Sequence, residues 1–233
     1  VNNPTPRRFT GLCGLLTGVL ALVVVPLYFV YMGPPPTWNV LTRTLIAVPM
    51  LLALIGFVTG LRQIIRNTTT GHELLGTVLF SAGTAYAVTN LVALSMEAGV
   101  PLYVTDGSFD PTIDGPLSAG TVLVHGPISR MLTAIAAIAI AYAASRLKLL
   151  PRWVTVTGYL LAAANLAFIP SLYFGMNPAN FYAANGWGST ASISFIGFIW
   201  YGLVGISVLR RRFPEAPGTG RNLTAREPVL AGA

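Results

Sequence analysis

Apolar residues in this chain come in six long runs separated by short polar or turn-forming pieces. A helix needs roughly 20 such residues to cross a hydrocarbon core about 30 Å thick. The pattern predicts spans over about 11–32, 41–65, 74–96, 121–145, 153–174 and 191–209. Gly33-Pro34-Pro35-Pro36 breaks the chain after the first run, and Arg66-Asn67-Thr68-Thr69-Thr70-Gly71 after the second. A loop over about 98–121 follows the third, Leu150-Pro151-Arg152 makes a tight turn after the fourth, and residues 175–190 form another loop. No unit of 20–50 residues repeats, and no inverted repeat stands out. The expected fold is therefore all-α: a polytopic transmembrane helical bundle of about six spans, occupying 1–212. Pro214, Pro217, Gly218 and Gly220 mark 213–233 as a flexible cytoplasmic tail. The first run follows Arg7 and Arg8 as a signal peptide would, but it is too long for a signal core and ends on a poor cleavage site, so it reads as a retained helix.

Charge fixes the expected orientation. Only 9% of residues are charged, against about 25% in a soluble domain that must meet water over its whole surface. Arg7, Arg8, Arg62, Arg66, Arg146, Lys148, Arg152, Arg210, Arg211, Arg212, Arg221 and Arg226 all fall on one side of a six-span bundle; only Arg43 and Arg130 do not. Basic loops stay in the cytoplasm, so both termini are expected there. Glu97, Asp106, Asp110 and Asp114 lie at the other end. The net charge of +7 does not point to nucleic acid, because the basic residues sit at span ends rather than in one patch.

Polar residues inside the spans are the candidate chemistry, since each costs several kcal/mol in lipid unless it pairs or faces a cavity. Gly83, Tyr86, Asn90 and Glu97 recur at helical spacing on one face of the third span. Arg130 in the fourth shares a face with Gly126, Ala134, Ala137 and Ala141, small residues that suit helix packing, so it should point into the bundle. His125, Asn165 and Arg43 fall in the same layer. Together these residues suggest a polar pocket on the outer side, roofed by the two long loops. A Glu97–Arg130 ion pair is the expected centre of it, either fixing helix packing or serving a ligand. Arg43 is expected to snorkel towards the outer headgroups. Trp187, with Phe181 and Tyr182, reads as part of an interfacial belt or as a lid.

Other chemistry is thin. His72 and His125 fall at opposite ends of their spans, about a membrane thickness apart, and so cannot share a metal ion or pair as haem ligands. Asp106, Asp110 and Asp114 lack the spacing of an EF-hand and read as a solvated loop. Cys13 is the one cysteine, a packing residue with no internal partner. Lys148 lies at a span end, which excludes a retinal Schiff base. There is no Gly-rich phosphate loop. No cofactor and no metal are called for. Gly56-x-x-x-Gly60 allows close helix approach.

The run Leu149-Leu150-Pro151-Arg152-Trp153, then Gly158, Asn185-Gly186-Trp187-Gly188 and the closing Arg210-Arg211-Arg212 resembles uncharacterised small multi-spanning membrane proteins of high-GC Gram-positive bacteria. The resemblance covers the last 85 residues or so and the general layout; it implies a bacterial plasma membrane and carries no active site. Three functional readings stay open. The outer pocket suits binding of a small amphipathic or lipid-like ligand, or assistance to a membrane-protein partner. A membrane-embedded isoprenoid cyclase or isomerase would use Glu97 as acid, with Tyr86, Phe198, Trp200 and Tyr201 as walls and Glu73 as the fallback acid; an adjacent Arg130 would oppose it by favouring the carboxylate. A structural subunit of a membrane complex would use the polar layer only to set helix register. The lipid bilayer is a partner in all three.

Overall fold

The computed structural model describes residues 5–68, 71–104 and 108–211. Seven α-helices carry the fold, with no strand among the described residues: α1 (Thr5–Val24), α2 (Thr37–Thr68), α3 (Glu73–Tyr103), α4 (Gly115–His125), α5 (Pro127–Arg146), α6 (Arg152–Ala167) and α7 (Ile193–Arg210). Six segments among the described residues are long and apolar enough to cross a membrane: Pro6–Phe29, Thr37–Thr68, Glu73–Tyr103, Leu117–Arg146, Arg152–Phe174 and Gly188–Arg210. This is the make-up of a multi-pass membrane protein. Its outer surface agrees, since Leu12, Leu45, Leu52, Val92, Ile128, Leu160 and Leu203 are all exposed, an arrangement that lipid rewards and water would not.

Two helices run further than the apolar pattern predicts. Glu97 looks like the end of the third span, yet α3 continues through it to Tyr103. Because Glu97 is buried, its charge marks an internal partner rather than a membrane boundary. The loop that follows shrinks accordingly, with α4 already begun at Gly115. The expected tail at 213–233 lies outside the described residues, as does Asp106.

Each span packs on the next, and the last closes on the first. Glycine allows that closure. A methyl group placed on Gly18 would fall 2.8 Å from Gly202 Cα, and one on Gly14 would fall 2.9 Å from Gly205 Cα. Backbone therefore lies directly on backbone along this seam, as small residues permit between membrane helices. Gly56 and Gly60 do similar work on α2, where they seat Cys13 and Thr10 of α1. Gly158 of α6 meets Ala141 of the small-residue face on α5.

The two ends of the bundle differ. At one end Arg7 Nη1 donates to Arg211 O at 3.1 Å, and Arg211 Nη2 to Lys148 O at 2.7 Å. Helix start, helix end and the α5–α6 turn thus meet in a basic cluster. At the opposite end, four of the six spans leave α geometry. The first tightens into a 3₁₀ turn over Pro26–Phe29, and the fifth does so over Ile169–Phe174. The fourth breaks at Gly126, where Pro127 starts a new helix, and the sixth opens with a π turn over Gly188–Ser192. Pro26, Pro127 and Pro170 lack the N–H that would continue the ladder, so three of these breaks strand carbonyl oxygens that need donors. Non-helical backbone at membrane depth survives only where protein buries it or where it lines a cavity. Both happen here.

Candidate functional site

A cavity of about 420 Å³ opens at the irregular end. Its polar wall comes mostly from α2 and α3. Helical spacing places Asn39, Arg43, Ala47 and Met50 on the buried face of α2, and Tyr86, Asn90, Leu94 and Glu97 on the facing side of α3. Val24, Met50, Leu51, Leu94 and Phe198 supply an apolar wall. The two loops contribute Asp110, Thr112 and Ile113, then Pro178, Asn185 and Trp187.

Glu97 is the hub. Arg43 Nη2 lies 2.5 Å from its Oε1, and the two side chains are 2% and 1% exposed. The expected Glu97–Arg130 pair does not form: its cation is Arg43. Nor does Arg43 reach for the headgroups. It turns inward and lays its guanidinium over the Tyr28 ring, 4.0 Å from the centroid, an arrangement that suits a desolvated cation. Tyr28 Oη donates to Glu97 Oε2 at 3.1 Å. His125 Nε2 faces the same oxygen at 3.7 Å, while its Nδ1 is 2.8 Å from Asn90 Oδ1. Asn90 in turn donates through Nδ2 to Tyr86 O at 2.8 Å. That bond orients the amide so that Oδ1 accepts from the imidazole, which puts the ring proton on Nδ1 and leaves Nε2 as an acceptor in the neutral ring.

Arg130 does something else. Fully buried, it spreads its donors over backbone: Nε to Ser189 O at 3.1 Å, and Nη2 to Ser189 O and Thr190 O at 2.9 Å each and to His125 O at 3.2 Å. Nη2 also reaches Ser194 Oγ at 2.8 Å, and Nη1 points to Asn165 Oδ1 at 3.4 Å. Among the described residues no carboxylate pairs with it. Its partners are the carbonyls freed by the break at Gly126 and by the π turn, so one guanidinium ties the fourth span to the sixth. The planar fork of five donors makes arginine suited to this and lysine unsuited. Arg130 and Asn165 stand behind the wall formed by His125, Thr190 and Ser194, outside the cavity lining.

The remaining sequence candidates divide cleanly. Tyr86, Phe198 and Trp187 line the cavity. Trp200 and Tyr201 do not: Trp200 donates to Thr157 Oγ1 at 2.8 Å, and Tyr201 packs against Phe57. Glu73, the fallback acid, is exposed at the first turn of α3, at the far end of the helix from Glu97. Phe181 stacks edge-on against Trp187 with centroids 4.6 Å apart, so the aromatic loop forms one side of the mouth. Tyr28 is absent from the sequence candidates. An aromatic residue at a span end reads as interfacial, and only Pro26 in the middle of an apolar run signals the turn that folds Tyr28 inward.

No protein-family model, no curated protein and no solved structure matches this chain. Its role has to be read from the geometry of the cavity itself.

Proposed function

We propose that this chain sits in the plasma membrane with both termini in the cytoplasm and that its outer-end cavity binds a small amphipathic, lipid-like molecule. One observation carries the reading. A layer of hydrogen-bonding groups, the buried Arg43, Glu97 and Asn90 with the half-buried His125, faces a cavity whose lining is otherwise mostly aliphatic and aromatic, and binding sites for small molecules combine just these two elements. The volume, about 420 Å³, falls within the roughly 300–1,000 Å³ usual for such sites. The rim supports the same reading, because Phe29, Tyr31, Ile113 and Trp187 line the cavity while remaining substantially exposed. An apolar rim suits a ligand that arrives from the bilayer. The basic cluster at the other end supports the orientation. Acid catalysis by Glu97 is disfavoured, since its oxygens are already engaged by Arg43 at 2.5 Å and by the Tyr28 hydroxyl at 3.1 Å.

The test is direct. Purified protein, washed in detergent and extracted with organic solvent, should release lipid-soluble material that mass spectrometry finds at near-stoichiometric amounts. A Met50→Trp variant, which fills the apolar wall, should release about a tenth as much. Equal amounts from both proteins would locate the material outside the cavity and end the proposal. Fusing a reporter active only in the cytoplasm to either terminus should give signal; silence from both fusions, with the protein inserted, would reverse the orientation.

A further inference from the structure

Arg43 and Glu97 in the cavity wall are spent on one another, and this narrows what that layer can receive. Among the described residues Arg43 is the one arginine or lysine in the lining, and its Nη2 is held by Glu97. Asp110, at the mouth, accepts from Thr112 N at 2.8 Å and from Thr112 Oγ1 at 2.7 Å. Arg130 is consumed by carbonyl oxygens behind the wall. An acidic headgroup would find no free cation and two carboxylates. At the depth of Arg43 an amine would sit beside a guanidinium whose carboxylate is already paired. Burying either charge unpaired costs far more than the apolar chain behind it gains.

Beyond the ion pair itself, two atoms of this buried layer have no hydrogen-bond partner: Arg43 Nε, a donor on a side chain 2% exposed, and His125 Nε2, which the Asn90 contact leaves as an acceptor. Both residues line the cavity, and both address the same Glu97 carboxylate from different sides. The complement to one donor and one acceptor is a group that accepts and donates at a single atom. We infer that the ligand's polar end is an uncharged hydroxyl, so that the cavity takes a long-chain or isoprenoid alcohol in preference to an acid or an amine of the same length. The hydroxyl oxygen accepts from Arg43 Nε and its proton goes to His125 Nε2, while the chain lies along Met50, Leu51, Leu94 and Phe198. This inference rests on the amphiphile reading above and adds the headgroup to it.

Competition binding decides it. Tritiated hexadecanol is bound to the full-length protein in detergent, and unlabelled hexadecanol, farnesol, palmitate, hexadecylamine and hexadecane compete. Hexadecanol or farnesol should displace the label at concentrations at least about tenfold below those of the acid, the amine or the alkane; which alcohol wins distinguishes a straight chain from a branched one. His125→Asn keeps an amide against Asn90 and removes Nε2, so alcohol affinity should fall about tenfold with palmitate competition unchanged. Palmitate or hexadecylamine matching the alcohols would overturn the headgroup assignment and leave the amphiphile reading standing. So would saturable hexadecanol binding equalled by hexadecane. Failure of every probe to bind, together with no copurifying lipid, would remove both. Should His125→Asn fail to fold, the wild-type competition series is decisive by itself.

Discussion

Glu97→Gln and Arg43→Met, made singly, are each expected to cost about 3–5 kcal/mol of stability, and the double variant to recover most of that loss. Removing one member of a buried ion pair strands the other in a medium that cannot solvate it, whereas removing both leaves a neutral site. With Arg43 2% and Glu97 1% exposed, neither survivor has water to turn to. Arg43→Met should be the worse of the two. It leaves Glu97 with only the Tyr28 hydroxyl and the more distant His125, while Glu97→Gln keeps a carbonyl oxygen for Tyr28 to donate to. Thermal unfolding of the four proteins in one detergent gives the coupling as a double-mutant cycle. Losses that simply add would mean that the pair does not exist in solution. Pairing Glu97→Gln with Arg130→Met instead should give nearly additive losses, because Arg130 answers to carbonyls and not to Glu97.

Arg130→Met is expected to lower stability by about 3 kcal/mol or more, for a different reason. It takes the Arg130 donors from His125 O and Ser189 O and leaves Thr190 O with only the Ser194 hydroxyl, and each unsatisfied buried carbonyl costs about 1–3 kcal/mol. Relief from holding a buried cation returns part of this. Arg130→Lys should fall between wild type and Met, since an ammonium supplies charge but no planar fork. Trp187, next to the π turn that Arg130 holds, offers a local probe: its fluorescence should shift in Arg130→Met below the temperature of global unfolding. A variant that melts like wild type with unchanged Trp187 emission would show that the staple holds nothing.

The spans and the polar layer are legible because lipid imposes them. A bilayer demands long apolar runs, and it makes every polar interruption conspicuous, so Asn90, Glu97 and Arg130 cannot hide. Helical spacing then puts Tyr86, Asn90 and Glu97 on one face. What cannot be read is which arginine Glu97 chooses. Arg43 looks like a headgroup anchor because the apolar run begins near Leu41, yet α2 starts at Thr37 and carries Arg43 well inside. Its buried face is present in the sequence as Val40, Arg43, Ala47, Leu51 and Leu54 at helical spacing, all of them inward-facing in the fold. Arg130 points inward as its small-residue face implies, but it does not seek a carboxylate. Its partners are backbone oxygens that exist only because Gly126-Pro127 and the π turn interrupt their helices, and no pattern of side chains announces a stranded carbonyl. Tyr28 escapes for the same reason, since a turn rather than a periodicity aims it.

The glycine seam between α1 and α7 has a consequence for how the molecule is made. Gly14 and Gly18 of α1 meet Gly205 and Gly202 of α7, so α1 leaves the ribosome long before the helix it packs against. Until then α1 presents a groove of bare peptide backbone to whatever surrounds it, and the cavity lacks the wall that Ser194 and Phe198 of α7 provide. A chain cut short before α7 should therefore have neither the glycine seam nor the cavity wall that Ser194 and Phe198 supply.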